Sequence, residues 1–107
     1  MLRGEVWRVE FDPALDSEIR KTRPAIISNN AANRNLSRVI VVPVTSHTDR
    51  VYPGEARVSV AGTDSKAMAD QLMTADKVRL KSFVSALSKA DMQAVEVAVR
   101  LQLALSK

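Results

Sequence analysis

The segment RVIVVPVT, residues 38–45, carries the strongest β-strand signal in the chain. Most of its side chains are apolar and β-branched, which is typical of a β-strand. Pro43 has no backbone N–H, so it predicts that this strand either lies at a sheet edge or is interrupted by a bulge. The fold is therefore expected to be built on β-sheet, and the other segments are assigned outward from this one.

Two further strands are predicted on the N-terminal side of this segment. EVWRVEF, residues 5–11, alternates with period two, which indicates a strand with one buried face made by Trp7, Val9 and Phe11. AIISN, residues 25–29, is predicted to be a buried second strand that begins at Pro24. The asparagine-rich residues 29–35 indicate a polar turn, because asparagine side chains bond readily to nearby backbone.

Short strands continue on the C-terminal side. ARVSV, residues 56–60, alternates and predicts a fourth strand, and residues 61–64 turn the chain. Residues 67–72 and 73–80 are predicted to form further short strands. Many short strands separated by turns favour a small barrel over a parallel sheet. The predicted fold class is therefore mainly β with helices (α+β), a compact barrel with a C-terminal helix.

The C-terminal segment is predicted to be a helix that begins after Ser88 and runs to about Leu105. Its polar side chains form only a narrow stripe, which consists of Gln93, Glu96 and Arg100. A helix that faces one core needs an apolar arc only a little wider than about 100°. The wider arc predicts that the helix packs both on its own sheet and on a second copy of the chain, as a homodimer. The alternative is a helix sunk deeply in one groove.

The composition limits the classes of function. A chain of 107 residues predicts a single domain, residues 1–107. It contains no cysteine and only one histidine, His47, so we expect no metal site and no cofactor. With no signal peptide and no apolar run near the roughly 20 residues of a membrane span, a cytoplasmic protein is expected. The net charge of +4 favours an anionic partner such as nucleic acid.

The segment DSEIRKTRP, residues 16–24, offers a candidate for chemistry on RNA. Arg23 precedes a proline, which restricts its backbone and presents its guanidinium, a good phosphate ligand, at the start of a strand. Glu18 can take the proton from a 2′-hydroxyl, while Arg23 and Thr45 hold the phosphoryl oxygens. The same residues also admit a plain interpretation: a solvated charged loop and an ordinary hydroxyl that ends a strand.

Four segments in order resemble the MazF/PemK-type toxin endoribonucleases of bacterial toxin–antitoxin systems. They are RGEVWRVEFDP, SEIRKTRPAIISNN, VIVVPVTSH and DQLMTADKVRL, and together they cover nearly the whole chain. The resemblance implies a compact SH3-like barrel of the CcdB/MazF type and a homodimer. It also implies metal-independent cleavage of single-stranded RNA to 2′,3′-cyclic phosphate and 5′-hydroxyl ends, and a cognate antitoxin that blocks the groove.

The resemblance also implies roles for individual residues. The family's active-site arginine, threonine and acidic residue correspond to Arg23, Thr45 and Glu18. The residues expected to contact RNA are Arg20, Lys21, Asn30, Asn33, Ser46 and Gln71. For Arg20 and Lys21 the alternative is a solvated basic loop, and for the two asparagines it is shaping the turn that follows the second strand.

Two other functions remain open at this point. A CcdB-like poison of DNA gyrase would share the fold without cutting RNA, and its binding residues would lie on the terminal helix instead. The second alternative is a basic barrel that binds nucleic acid and catalyses no reaction. The TRP and VPVT residues favour the ribonuclease.

Overall fold

The computed structural model describes residues 1–10 and 22–106, and the strands in those residues form two antiparallel sheets. One sheet has the order β7-β3-β2-β1-β8 and the other has the order β4-β6-β5. The strands are β1 (Glu5–Val9), β2 (Ala25–Ile26), β3 (Arg38–Val42), β4 (Val44–Thr45), β5 (Glu55–Val60), β6 (Thr63–Met68), β7 (Met73–Asp76) and β8 (Leu80–Ala86). The predicted class, mainly β with helices, is confirmed, although the two sheets are not closed into a barrel.

Pro43 is the point at which the chain passes from one sheet to the other. It separates β3 from β4, and its carbonyl accepts a hydrogen bond from the backbone N–H of Met68 at 2.9 Å. The predicted interruption at the proline is therefore confirmed. The predicted edge position holds only for β4, because β3 lies inside its sheet between β2 and β7.

Strand β1 is covered on both faces, because its side chains contribute to two separate core clusters. Val6 is fully buried in the first cluster, whereas Trp7 and Val9 pack on the second. The prediction of a single buried face was wrong in this respect, and Phe11 lies outside the described residues. The first core cluster contains Val6, Ala25, Val42, Val44, Ala56, Val58, Val60, Ala67, Ala69, Val95 and Ala98. The second contains Ile26, Val39, Val41, Ala75 and Leu80.

The asparagine-rich segment forms a short helix, α1 (Asn30–Asn35), and not the predicted turn. Asn29 caps it, because its Oδ1 accepts the N–H of Ala32 at 2.8 Å. Asn33 is buried, and its amide donates to the carbonyl of Ser28 at 2.8 Å. These side-chain bonds replace the stabilisation that intrinsic helix propensity does not supply in this sequence.

The last helix, α2 (Lys89–Gln102), begins where the sequence predicts and ends three residues earlier than expected. Ser88 Oγ accepts the N–H of Asp91 at 3.1 Å, and the Asp91 carboxylate accepts the N–H of Ser59 at 2.9 Å. The cap therefore also fixes the helix to β5. The other described helical segments are two 3₁₀ turns, Ala69–Gln71 and Lys77–Arg79. No helix among the described residues has the length and apolar character needed to cross a membrane.

Candidate active site

A cavity of about 300 Å³ opens where the two sheets meet. Arg8 reaches it from β1 and Arg23 from the residues before β2, while Thr45 comes from β4 in the other sheet. We call this space the arginine cavity. Its lining in the described part of the chain is Arg8, Arg23, Val44, Thr45, Ser46, Val60, Ala61, Thr63, Ser65 and Val84.

Arg23 is held at the arginine cavity by its backbone. Its N–H donates to the carbonyl of Val44 at 3.0 Å, which ties the start of β2 to the residue before Thr45. The following Pro24 is buried, whereas the Arg23 side chain is exposed. The main chain is thus anchored and the guanidinium remains accessible. The structure therefore brings the two predicted residues Arg23 and Thr45 to one cavity.

The hydroxyl of Thr45 is oriented by the turn that follows it. Its Oγ1 accepts the backbone N–H of His47 at 3.2 Å, which leaves the hydroxyl proton available for donation to a ligand. The side chain is half-buried, and the neighbouring Ser46 is exposed at the cavity. Both hydroxyl groups can donate to oxygen atoms of a ligand that enters.

The arginine cavity has the electrostatic character of an anion site. Its floor is made by Val44 and Val60 of the first core cluster and by Val84, which packs against that cluster. Around this apolar floor stand two guanidinium groups and four hydroxyl groups, and no carboxylate from the described residues lines it. Guanidinium forks beside hydroxyl donors are the groups that proteins use to bind phosphate.

Sequence reasoning did not identify Arg8. The alternation in EVWRVEF predicts a buried face made by Trp7, Val9 and Phe11, and Arg8 lies on the other face of such a strand. Arg8 could have been found from its spacing to Val6, because residues two apart in a strand point to the same face. Once Val6 is recognised as a core residue, Arg8 is expected at the rim of the same core.

Three other predicted RNA contacts lie in the described part of the chain, and none of them lines the arginine cavity. Asn30 is exposed at the start of α1, and its Oδ1 accepts the backbone N–H of Arg3 at 2.7 Å. Gln71 is half-buried beside Met68, with its Nε2 3.6 Å from the sulfur. Asn33 is only 2% exposed, so it has no surface to offer RNA and fits the alternative role of shaping its segment.

Glu18, Arg20 and Lys21 lie outside the described residues. Within the part of the chain that is described, no group of three or more His, Cys, Asp or Glu side chains is placed so that it could hold a metal ion. The polar groups that the structure gathers at the arginine cavity are therefore guanidinium and hydroxyl groups.

The two sheets, the C-terminal helix and the arginine cavity together define a small β-sheet protein with a cavity lined by arginine and hydroxyl side chains. Comparison with known proteins makes this class specific. Residues 2–103 match the family described as PemK-like, MazF-like toxin of type II toxin-antitoxin system. The chain belongs to this family, and the resemblance found in the sequence is confirmed.

Similar proteins agree in sequence and in structure. The chain is 37% identical to "Endoribonuclease MazF9" of Mycobacterium tuberculosis over 98% of both chains. A solved "Endoribonuclease in complex with its cognate antitoxin from Mycobacterial species" is 26% identical, with a TM-score of 0.84 over 100% of this chain and 98% of that one. MazF from Deinococcus radiodurans, 20% identical over 97% of this chain and 96% of its own, shares the fold with a TM-score of 0.81.

Proposed function

We propose that this toxin is a metal-independent, sequence-specific endoribonuclease that cleaves single-stranded RNA, with mRNA in the cytoplasm as its target. The observation that carries the proposal is the convergence of Arg23 and Thr45 on one cavity without a carboxylate among its described lining residues. The relatives named endoribonuclease support the same activity.

The proposed reaction is a transfer within the RNA. The 2′-oxygen attacks the adjacent phosphorus and forms a new P–O bond, while the bond from phosphorus to the 5′-oxygen breaks. The 2′-hydroxyl gives its proton to a base, for which we propose Glu18, and the leaving 5′-oxygen takes up a proton from water. The products carry a 2′,3′-cyclic phosphate and a 5′-hydroxyl.

Arg23 acts in this scheme through its charge. A guanidinium stays protonated in proteins and therefore gives up protons poorly. Negative charge accumulates on the phosphoryl oxygens in the pentacoordinate transition state, and a fixed cation stabilises that state more than the substrate. The Thr45 hydroxyl, whose oxygen already accepts the His47 N–H, donates a hydrogen bond to one of the same oxygens and keeps its proton.

Beyond the arginine cavity we propose further RNA contacts. Ser46 is the nearest, because it lines the cavity and is exposed. Asn30 and Gln71 lie elsewhere on the surface and would contact nucleotides farther along the strand. Arg20 and Lys21 are proposed as additional phosphate contacts.

We further propose that the functional unit is a homodimer bound by a cognate antitoxin. Helix α2 and the residues that follow it leave large apolar side chains exposed, and an apolar patch of this kind commonly marks a protein interface. These residues are Val97, Leu101, Leu103 and Leu105, with exposures of 59%, 58%, 47% and 56%. The antitoxin is inferred from the solved mycobacterial complex, and we propose that it covers the arginine cavity.

The proposal is tested by incubating the purified protein with long single-stranded RNA in EDTA. We expect discrete fragments with cyclic-phosphate ends from the wild type. Arg23→Ala should slow cleavage by about 10²- to 10³-fold, the usual effect of removing one donor to a developing oxyanion. The fold should persist, because the side chain is exposed and the backbone bond to Val44 remains.

Arg34→Ala is the matched control, because Arg34 is exposed on α1 and lines no part of the arginine cavity. Full activity of Arg23→Ala would refute the site assignment. Intact RNA together with inhibited DNA supercoiling would indicate a gyrase poison, and retarded but uncut RNA would indicate a binding protein.

A further inference from the structure

The register between β1 and β2 places a second arginine directly opposite Arg23. Val6 pairs with Ala25, and the N–H of Trp7 donates to the carbonyl of Pro24 at 3.0 Å. In an antiparallel pair each step forward on one strand is a step back on the other. One further step therefore sets Arg8 opposite Arg23, and both side chains line the arginine cavity.

Among the described residues this arrangement is electrostatically unfavourable, because no carboxylate lining the arginine cavity offsets the two positive charges. Residues directly opposite in an antiparallel pair have Cβ atoms about 4.5–5.5 Å apart, and like charges at that position destabilise the sheet. Within the described residues neither Arg8 nor Arg23 forms an ion pair or a side-chain hydrogen bond. By contrast, Arg3 is paired with Glu96 at 2.8 Å and Arg57 with Asp64 at 2.6 Å.

An anion between the two guanidinium groups removes the repulsion and satisfies their donors. Phosphate fits this requirement, because its oxygens accept paired N–H bonds from a planar guanidinium fork. The hydroxyl groups of Thr45 and Ser46 supply donors from the opposite sheet.

We propose that Arg8 and Arg23 clamp one phosphate group, and that in the RNA-cleavage reaction this group is the scissile phosphate. The inference rests on the proposed function and adds Arg8 as a second catalytic residue, which contacts the phosphoryl oxygens and transfers no proton. The 2′-oxygen still forms the new bond and the 5′-oxygen still leaves. Arg8 stabilises the charge that the phosphoryl group gains between these two events.

The first test compares single-turnover cleavage rates at saturating protein. Arg8→Ala should slow the step by about 100-fold, as expected for one lost donor to a developing oxyanion, and Arg8→Lys should recover part of the rate. Arg34→Ala, which removes the same charge from the surface outside the cavity, should cleave like the wild type. Wild-type rates for both Arg8→Ala and Arg8→Gln would overturn the inference.

The second test asks whether the effect of Arg8 on RNA affinity depends on the negative charge of the scissile phosphate. The probe is a single-stranded RNA with a 2′-deoxy nucleotide at the cleavage position, carrying either the natural phosphate or a neutral methylphosphonate at the scissile linkage. For the wild type the neutral linkage should raise Kd by about tenfold or more, since hydrogen bonds to charged groups are strong. For Arg8→Ala this ratio should fall toward one, which a merely structural role would not produce.

An unchanged ratio in Arg8→Ala, or an equal fall in Arg34→Ala, would overturn the clamp. If the wild type leaves RNA intact, the proposed function fails, and the clamp is then tested with inorganic phosphate alone. Phosphate should raise the Tm of the wild type and of Arg34→Ala but not that of Arg8→Ala or Arg23→Ala. Equal rises in all four proteins would refute the anion site itself.

Discussion

A buried ion pair between neighbouring strands gives the sharpest stability prediction. Lys66 Nζ lies 3.0 Å from Glu55 Oε1, and the two side chains are only 12% and 8% exposed. The ammonium also donates to the carbonyl of Arg50 at 2.8 Å, and the same carboxylate oxygen accepts the N–H of Tyr52 at 2.8 Å. Glu55→Ala removes one partner of this pair and leaves the ammonium of Lys66 in place.

The magnitude follows from this geometry. At a separation of 3.0 Å and an effective dielectric constant of about 20, the Coulomb attraction is about 5 kcal/mol. The cost of removing both charges from water offsets most of it, so the intact pair contributes little net stability. Removing Glu55 alone forfeits the attraction while the desolvation of Lys66 remains. We therefore expect a loss of about 3 kcal/mol in the free energy of unfolding.

The assay is urea unfolding followed by the fluorescence of Trp7, at one protein concentration because subunit association would add to stability. Glu55→Gln, which keeps an acceptor for the Tyr52 N–H, should lose less than Glu55→Ala. The double variant Glu55→Ala/Lys66→Met should recover most of the loss, because no unpaired charge stays buried. A loss below about 1 kcal/mol in Glu55→Ala would show that the pair behaves as a surface ion pair and would refute the reasoning.

Three further predictions concern the helix and the turn beside the site. Ser88→Ala should lower the free energy of unfolding by about 1 kcal/mol through loss of the N-cap, measured by urea titration, and an unchanged midpoint would contradict the cap. Gly62→Ala should lower the free energy of unfolding by about 1–2 kcal/mol in the same assay. Gly62 has φ +83°, and a Cβ added there would meet no other atom, so the loss comes from backbone strain alone. Leu101→Glu should convert the proposed dimer to a monomer in analytical ultracentrifugation, whereas Gln93→Glu on the polar stripe should not; a dimer that survives Leu101→Glu would place the interface elsewhere.

The sequence predicted a strand with regular alternation and misplaced others: β6 (Thr63–Met68) begins in the predicted turn at 61–64 and overlaps the predicted strand at 67–72 by only two residues. Residues 56–60 alternate cleanly, and they lie within β5. Residues 81–86 of β8 were not assigned, and the pairing of β8 with β1 contains two register shifts, between Val6 and Trp7 and between Arg8 and Val9. Such irregularities break the period of two in the sequence. The strand also leaves an apolar side chain, Phe83, 53% exposed, so its burial pattern does not mark it as a strand.

The candidate site was predictable only in the part that local sequence encodes. An arginine before a proline and a threonine at the end of an apolar strand are visible in the sequence, and both lie at the cavity. The role of Asn33 depended on burial, and the place of Arg8 depended on pairing between residues far apart in the chain. Neither burial nor long-range register can be read from a short segment, because both are set by tertiary packing.

The way the arginine cavity is assembled has a consequence for the order of protein synthesis. Its walls come from Arg8 near the start of the chain and from residues as late as Val84 in β8, which pairs with β1. A ribosome must therefore release nearly the whole polypeptide before these groups can meet. We expect a nascent toxin to be harmless to the message that encodes it, and to become active only once translation of that copy is almost complete.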